Sequence, residues 1–276
     1  MKVDLHCHSF YSDGTLSPSE VVDLAIANEV DMLALTDHDS VYGLQEARQH
    51  ANSKAISLID GVEVSVQWES LTIHIVGLNI DPNHHSIIQL LNTNAEFRQK
   101  RLEQMVEKLL KVDIDVMPYL TSIVPENGLV TRTHIARALV EMNVVNRMDK
   151  AFKKYLGKGK CAYAAGEWVG LEEAVNAINE SGGVPVIAHP MRYRMGANRL
   201  ERLVKEFAQI GGKALEVVTA TQDINQQRRC LQLAENYDLH ASIGSDFHSL
   251  DQPWAILGRC PNLPSSATPV WQHWTN

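Results

Sequence analysis

Apolar positions along the chain follow two rhythms. Short apolar runs bounded by turn residues read as buried strands over residues 2–8, 31–37, 56–66, 71–81, 184–188, 214–218 and 241–245. Between several of them the apolar spacing becomes helical. One helix opens at Ser17-Pro18-Ser19-Glu20, with a capping serine, proline at the first helical position and glutamate three residues after the cap. Others are expected over 43–53, 171–181, 199–210 and 225–236. Alternating strands and helices with short connections predict a parallel α/β architecture, as a barrel or an open sheet. Residues 82–168 break the alternation. In "NTNAEFRQKRLEQMVEKLLK", Phe97, Leu102, Met105, Val106 and Leu109 lie close to a 3.6-residue period, and "THIARALVEM" and "MDKAFKKYL" read the same way. The expected organisation is a discontinuous α/β body, residues 1–81 and 169–276, with 82–168 as a helical insertion.

Several strands end in polar residues. The first delivers His6 and His8, the second Asp37 and His38 in "TDHD", and the third contains Glu63. His74 lies in the fourth, His189 follows in "VIAHP", and "IGSDFH" supplies Asp246 and His248. Parallel barrels gather functional groups at the C-terminal ends of their strands. A lone histidine on an apolar strand is more often a satisfied core residue, but six of the twelve histidines recur in this position, which points to a metal cluster. Alternation puts His6 and His8 on one face and Cys7 on the other, in the wall. It also turns His38 away from Asp37, so Asp37 is expected to stand behind the ligands and orient a histidine. Asp13, in "SDGT", reads equally as a turn residue.

Composition narrows the chemistry. The net charge of −8 argues against a broad basic surface for duplex DNA. Four widely separated cysteines show no CxxC pairing, which disfavours a disulfide framework or a cysteine zinc site. The beginning of the chain lacks the apolar run of a signal peptide, and no stretch approaches the ~20 apolar residues of a membrane span. A cytoplasmic protein with no membrane partner and no obligatory protein partner is expected.

The successive motifs "DLHCHS…SDG", "LTDHD", "GVEVS", "HIVG", "AHP" and "GSDFH" resemble, in order, those of the polymerase-and-histidinol-phosphatase (PHP) superfamily. The resemblance implies a distorted seven-stranded (β/α) barrel with a trinuclear metal centre and nine ligands. His6, His8, Glu63 and Asp246 would hold one metal. Glu63 would bridge to a second with His74 and His189, and Asp13, His38 and His248 would hold the third. "TRTHIAR", "HPMRY" and the insertion resemble, more narrowly, a subgroup that hydrolyses 3′,5′-nucleotide bisphosphates and trims short RNAs, including rRNA ends, from the 5′ side. Imidazoles and carboxylates without thiolate suit Mn²⁺, with Fe²⁺ or Zn²⁺ as alternatives. Three such ions outweigh the three carboxylates, so the pocket attracts phosphate and can hold hydroxide for attack on phosphorus.

Selectivity requires a second anion clamp. Arg98 and Arg101 lie three apart on one helix, Arg132, His134 and Arg137 cluster in "TRTHIAR", and Arg192 follows the "HP" of a ligand strand. These six are candidate substrate-binding residues, with the insertion capping the metals and Arg98, Arg101 and His134 on the 5′-phosphate. The bland alternative is surface pairing of the arginines with Glu96, Glu103 or Glu141. His134 could also be a tenth ligand or a helix-face residue. His50, His84, His85, His240 and His273 lack site partners, with His84 and His85 in a loop. Expected substrates are a small nucleotide or a short 5′-phosphorylated RNA. A histidinol phosphatase is the nearest rival; a metal-dependent amidohydrolase, which would want a bridging lysine, is more distant.

Overall fold

A computed structural model describes residues 1–272 and 274; His273 lies outside the described residues. In chain order the elements are β1 (Val3–Asp4), α1 (Pro18–Ala27), β2 (Met32–Leu35), α2 (Leu44–Ala51), β3 (Ser57–Trp68), β4 (Leu71–Leu78), α3 (His85–Leu110), α4 (Met117–Ile123), α5 (Arg132–Glu141) and α6 (Met148–Ala151). A π-helical turn (Phe152–Leu156) continues α6, followed by β5 (Val169–Gly170), α7 (Leu171–Glu180), β6 (Val184–Ile187), α8 (Ala197–Gln209), β7 (Ala214–Thr219), α9 (Ile224–Asn236) and β8 (His240–Gly244). No helix among the described residues is long and apolar enough to cross a membrane.

Seven strands run in the order β1-β2-β3-β4-β6-β7-β8, and β5 adds to β3. Leu5 N–H donates to Ile243 O across 3.0 Å, bringing the first and last strands together. The result is the nearly closed, distorted seven-stranded barrel that the motifs imply. One expectation is corrected: the sheet is not all parallel, because β4 runs antiparallel to both β3 and β6. The cause is local. Trp68 pairs with Leu71, so only Glu69 and Ser70 turn the chain, with Glu69 at φ 50°. A two-residue connection forces an antiparallel return.

Two strands are shorter than their apolar runs. Regular pairing in β1 stops at Asp4, although His8 N–H still donates to Phe247 O, and β2 stops at Leu35. The capping box predicted at Ser17 is present, with Ser17 Oγ accepting Glu20 N–H and Glu20 accepting Ser17 N–H. His84 and His85 do not lie in a free loop. His84 caps α3 by accepting Ser86 N–H, and His85 is its first residue. His50 pairs with Asp23 at 2.9 Å, and His240 opens β8.

The largest apolar cluster fills the barrel and the space beneath its helices, while a second forms around Met105, Leu109, Leu139 and Leu156. The 26-residue α3 spans both, with Ile87, Leu90 and Leu91 in the barrel cluster and Met105 and Leu109 in the second. The packing therefore changes partners part-way along this helix. Asn94, fully buried on α3, fastens it: Nδ2 donates to Asp39 Oδ1 (2.7 Å) and Ser65 O (2.8 Å), and Oδ1 accepts Val169 N–H (3.1 Å). Asn94→Ala removes three buried hydrogen bonds, although Asp39 Oδ1 keeps the one from Ser65 N–H, so chemical denaturation is expected to show a loss of about 2–4 kcal/mol.

Candidate active site

The site is assembled where the regular ladder ends. Beyond β1 the chain delivers His6 and His8 inward, and Cys7 turns the other way to donate its thiol to Ala34 O at 3.2 Å. The following turn is tightly built: a Cβ on Gly14 would lie 2.5 Å from His8 O. That turn places Asp13 in the cavity, with Oδ1 3.2 Å from His248 Nε2 and 3.7 Å from His38 Nε2. His189 and Asp246 both adopt left-handed backbone angles, φ 29° and 54°. Such conformations are costly for residues with a Cβ and concentrate where side-chain placement matters.

Glu63, fully buried in mid-β3, is the hub. Oε2 lies 3.2 Å from His6 Nε2, 3.3 Å from His8 Nε2 and 2.9 Å from His38 Nδ1. Oε1 lies 2.9 Å from both His74 Nδ1 and His189 Nε2. Three sets of donor atoms lie within 4.8 Å of one another: His8, Asp13, His38 and His248; His6, His8, Glu63 and Asp246; and His38, Glu63 and His74. All nine expected ligand residues thus converge, although His8 and His38 each fall in two sets and His189 joins through Glu63.

The donors fit divalent metals. Among the described residues six buried side-chain polar atoms lack a hydrogen-bond partner, and five belong here: His6 Nε2, Asp13 Oδ1, His38 Nδ1, Glu63 Oε2 and His189 Nδ1. Burying so many unpaired donors and acceptors is expensive without a cation between them. Electrostatics agrees. Against burial, the imidazoles of His38, His6 and His74 hold Glu63 well below the usual carboxylate range, and His248 and His38 do the same for Asp13. Burial lowers His38 and His189, whereas Asp246 and Glu63 overcome burial to raise His8 to about 10.

Two supporting carboxylates differ in kind. Asp37 does not bond an imidazole. Oδ1 accepts Ser9 N–H (2.7 Å) and Ser12 O–H (2.6 Å), and Oδ2 accepts Ser9 O–H (2.5 Å), so it braces the turn that carries Asp13. Alternation failed here because β2 ends at Leu35, which frees His38 to face Glu63. The histidine-orienting acid is instead Glu216 on β7, missed in the sequence although an acid inside "ALEVVT" was its signal. Its Oε1 lies 2.8 Å from His6 Nδ1, and Oε2 accepts His189 N–H. Gly244 makes room, since a Cβ there would lie 2.2 Å from His6 Cβ and 2.7 Å from Glu216 Oε1.

A cavity of about 320 Å³ opens over these groups, lined on its far side by Arg98, Arg101, Arg132 and Trp168. Arg98 donates through Nε (2.8 Å) and Nη2 (2.5 Å) to Asp39 Oδ2, a buried pair rather than a surface pair with a helix glutamate. Among the described residues Arg101 and Arg132 have no carboxylate partner within ion-pair distance. Burial, then Arg132 and Arg98, lower Arg101 to about 9, and burial lowers Arg132 as well. Arg192 also lines the cavity and binds Asp246 Oδ2. His134 and Arg137 are corrected. His134 Nδ1 accepts Thr131 N–H at 3.1 Å in the α5 capping box, and burial lowers it to about 4. Arg137 donates to Asp13 O (2.6 Å) and Gly14 O (3.3 Å), and neither residue lines the cavity.

The PHP domain family matches residues 4–220. The chain belongs to that family. Among PHP relatives, the 5′-3′ exoribonuclease Rnm of Escherichia coli is 41% identical, covering 98% of this chain and 93% of its own. The 3′,5′-nucleoside bisphosphate phosphatase of Chromobacterium violaceum is 40% identical over 98% of this chain and 95% of its own. A solved structure from Chromobacterium violaceum, described as an amidohydrolase with bound sulfate and no metal, superposes with a TM-score of 0.92 at 40% identity, covering 98% and 95% of the two chains.

Two outcomes follow from this geometry. Because Asp246 and Glu63 raise His8 well above the ordinary imidazole value, Mn²⁺ uptake is expected to displace protons; affinity is expected to rise with pH, and calorimetry in buffers of different ionisation enthalpy will read proton release. Glu216→Gln can satisfy only one of its two N–H partners, and Mn²⁺ affinity is expected to fall about 10–100-fold by equilibrium dialysis.

Proposed function

We propose that this PHP protein is a metal-dependent phosphohydrolase that removes the 3′-phosphate of nucleoside 3′,5′-bisphosphates and cleaves short 5′-phosphorylated RNAs from the 5′ end. The observation that carries the reading is one cavity with a dense ligand cluster on one wall and, on another, two arginines without a carboxylate partner among the described residues, Arg101 half-buried and Arg132 exposed. The relatives' named activities are the two that such a cavity serves. Three divalent ions are proposed, Mn²⁺ ahead of Fe²⁺ or Zn²⁺, held by the nine residues His6, His8, Asp13, His38, Glu63, His74, His189, Asp246 and His248. When bound they supply Lewis-acid charge for the phosphoryl oxygens and acidify water to hydroxide near neutral pH.

The chain's own groups then divide the work. Arg101 and Arg132 bind the terminal 5′-phosphate, whose charge relieves their mutual repulsion. Thr131 and Thr133, at the N-terminal end of α5, line the same wall. Arg98 joins the Asp39–Ser65 network and stacks on Trp168 at 5.0 Å, fixing the wall rather than acting as a primary clamp. Arg192 stands beside Asp246 at the metal side and is the candidate for meeting a scissile phosphate. Residues 82–168 serve as the cap that contributes the clamp. A clamp that measures one nucleotide from its 5′-phosphate presents the 3′-linked phosphorus to the metals, whether that phosphorus is a monoester or the first diester of an RNA.

Among the described residues no lysine lines the cavity, which disfavours the amidohydrolase reading. The arginine wall equally disfavours histidinol phosphate, whose free end is cationic. Phosphate release from adenosine 3′,5′-bisphosphate, histidinol phosphate and 5′-phosphorylated oligoribonucleotides, alongside metal analysis, tests the whole reading; preference for histidinol phosphate, or full activity without metal, overturns it. Arg101→Ala is expected to raise KM for the bisphosphate about 10–100-fold, the value of one or two charge-assisted hydrogen bonds. Steady-state kinetics on an aryl phosphate should show little change, and equal effects on both substrates would remove Arg101 from the clamp.

A further inference from the structure

Basic residues are unevenly spread. The chain holds 25 lysines and arginines against 33 acids, yet residues 147–160 contain Arg147, Lys150, Lys153, Lys154, Lys158 and Lys160 and a single acid, Asp149. All six basic side chains are exposed. Asp149 pairs with Arg147 at 2.9 Å and Lys153 at 3.5 Å. Among the described residues Lys150, Lys154, Lys158 and Lys160 meet no carboxylate. A strongly cationic face therefore sits on an otherwise acidic protein, where like charges this close repel one another and attract a polyanion.

The placement of this face connects it to the site. The π-helical turn directs Leu156 into the insertion's apolar cluster and Phe152 into the wall of the active-site cavity, beside Arg132 and Trp168. Lys153 and Lys154, between them, are turned to solvent, and Lys154 Nζ lies 5.0 Å from the Tyr155 ring centre. Phe152 thus ties the segment to the cavity wall, with exposed basic residues before and after it in the chain. A mononucleotide bisphosphate held between the arginine wall and the ligand cluster has no need of these charges. A longer chain has phosphates left over.

We infer that the exposed face of residues 147–160 is a docking surface for single-stranded RNA, engaging backbone phosphates beyond the nucleotide held in the cavity. The inference rests on the exoribonuclease half of the proposed function. Lysines on flexible stems suit such contacts, because they neutralise phosphates without reading base identity, and binding releases condensed counterions. The surface would let one metal site treat its two substrate classes differently, adding affinity for RNA in proportion to length while leaving the bisphosphate untouched.

The test compares the metal-loaded wild type with the quadruple variant Lys150→Gln, Lys154→Gln, Lys158→Gln, Lys160→Gln. Fluorescence anisotropy measures binding of a dinucleotide and a dodecanucleotide, both 5′-phosphorylated and carrying phosphorothioate linkages that slow turnover. The wild type is expected to bind the dodecanucleotide at least about tenfold more tightly at low salt, with a log–log salt slope that falls by about 0.7 for each lysine contact removed. In the variant the length preference disappears, while hydrolysis of adenosine 3′,5′-bisphosphate stays within about twofold, as expected for charges outside the cavity. A variant that keeps the length preference overturns the inference. So does a parallel loss of bisphosphate hydrolysis, or lysine-dependent binding to phosphatidylglycerol vesicles without binding of the dodecanucleotide. A wild type that binds the dodecanucleotide through these lysines but hydrolyses neither substrate supports the surface and overturns only the functional reading.

Discussion

The burial of Glu63 organises everything around it. A carboxylate in the middle of a β-strand, with no access to solvent, needs compensation from every direction. Here five imidazoles approach its two oxygens, and they come from the segment after β1, the loop after β2, β4 and the turn after β6. Each of those segments must end or bend at a particular residue for its imidazole to arrive. The short β1, the early end of β2, the reversed β4 and the left-handed His189 are the backbone's side of that requirement. Hydrogen bonding among the side chains is incomplete, and the unpartnered atoms are ones that could hold a cation.

Opposite charges are separated within one cavity. The cluster side is rich in carboxylates that stay ionised, and its arginine, Arg192, pairs with Asp246. The other side carries Arg101 and Arg132 with no acid to neutralise them, held in place by Trp168, Ala164 O and the start of α5. An arrangement of this kind is costly when empty of ions, since both walls are strained by their own charge. It is matched by a ligand that carries negative charge at both ends and a reactive phosphorus at one. The same logic explains why an overall acidic chain is suited to an anionic substrate.

Much of this could be read in the sequence, for identifiable reasons. Strand positions followed from apolar runs, since burial on both faces leaves little freedom of composition. The reversal of β4 did not, because an apolar run pairs equally well in either direction and Glu69 is not a typical left-handed turn residue. Histidines at strand ends were recognisable as a set, but strict alternation misplaced His38 and gave Asp37 a role that belongs to Glu216. Helical spacing correctly put Arg98 and Arg101 on one face, as their shared contact with Trp168 shows, yet could not reveal Asp39, which comes from a distant loop. The His134 cap has a legible signal of its own: Thr131 followed three residues later by a group that can accept the Thr131 N–H is a capping-box spacing.

The path of α3 carries an evolutionary implication. None of the nine clustered ligand residues lies between residues 82 and 168, and the helix that enters this region is pinned to the barrel through Asn94 before it reaches the second apolar cluster. Substitutions beyond that anchor can therefore reshape one wall of the cavity, provided they keep the bonds that Thr131 and Arg137 make to Asp13. The Arg101–Arg132 wall and the cluster of acids and imidazoles are thus encoded in separate stretches of the gene.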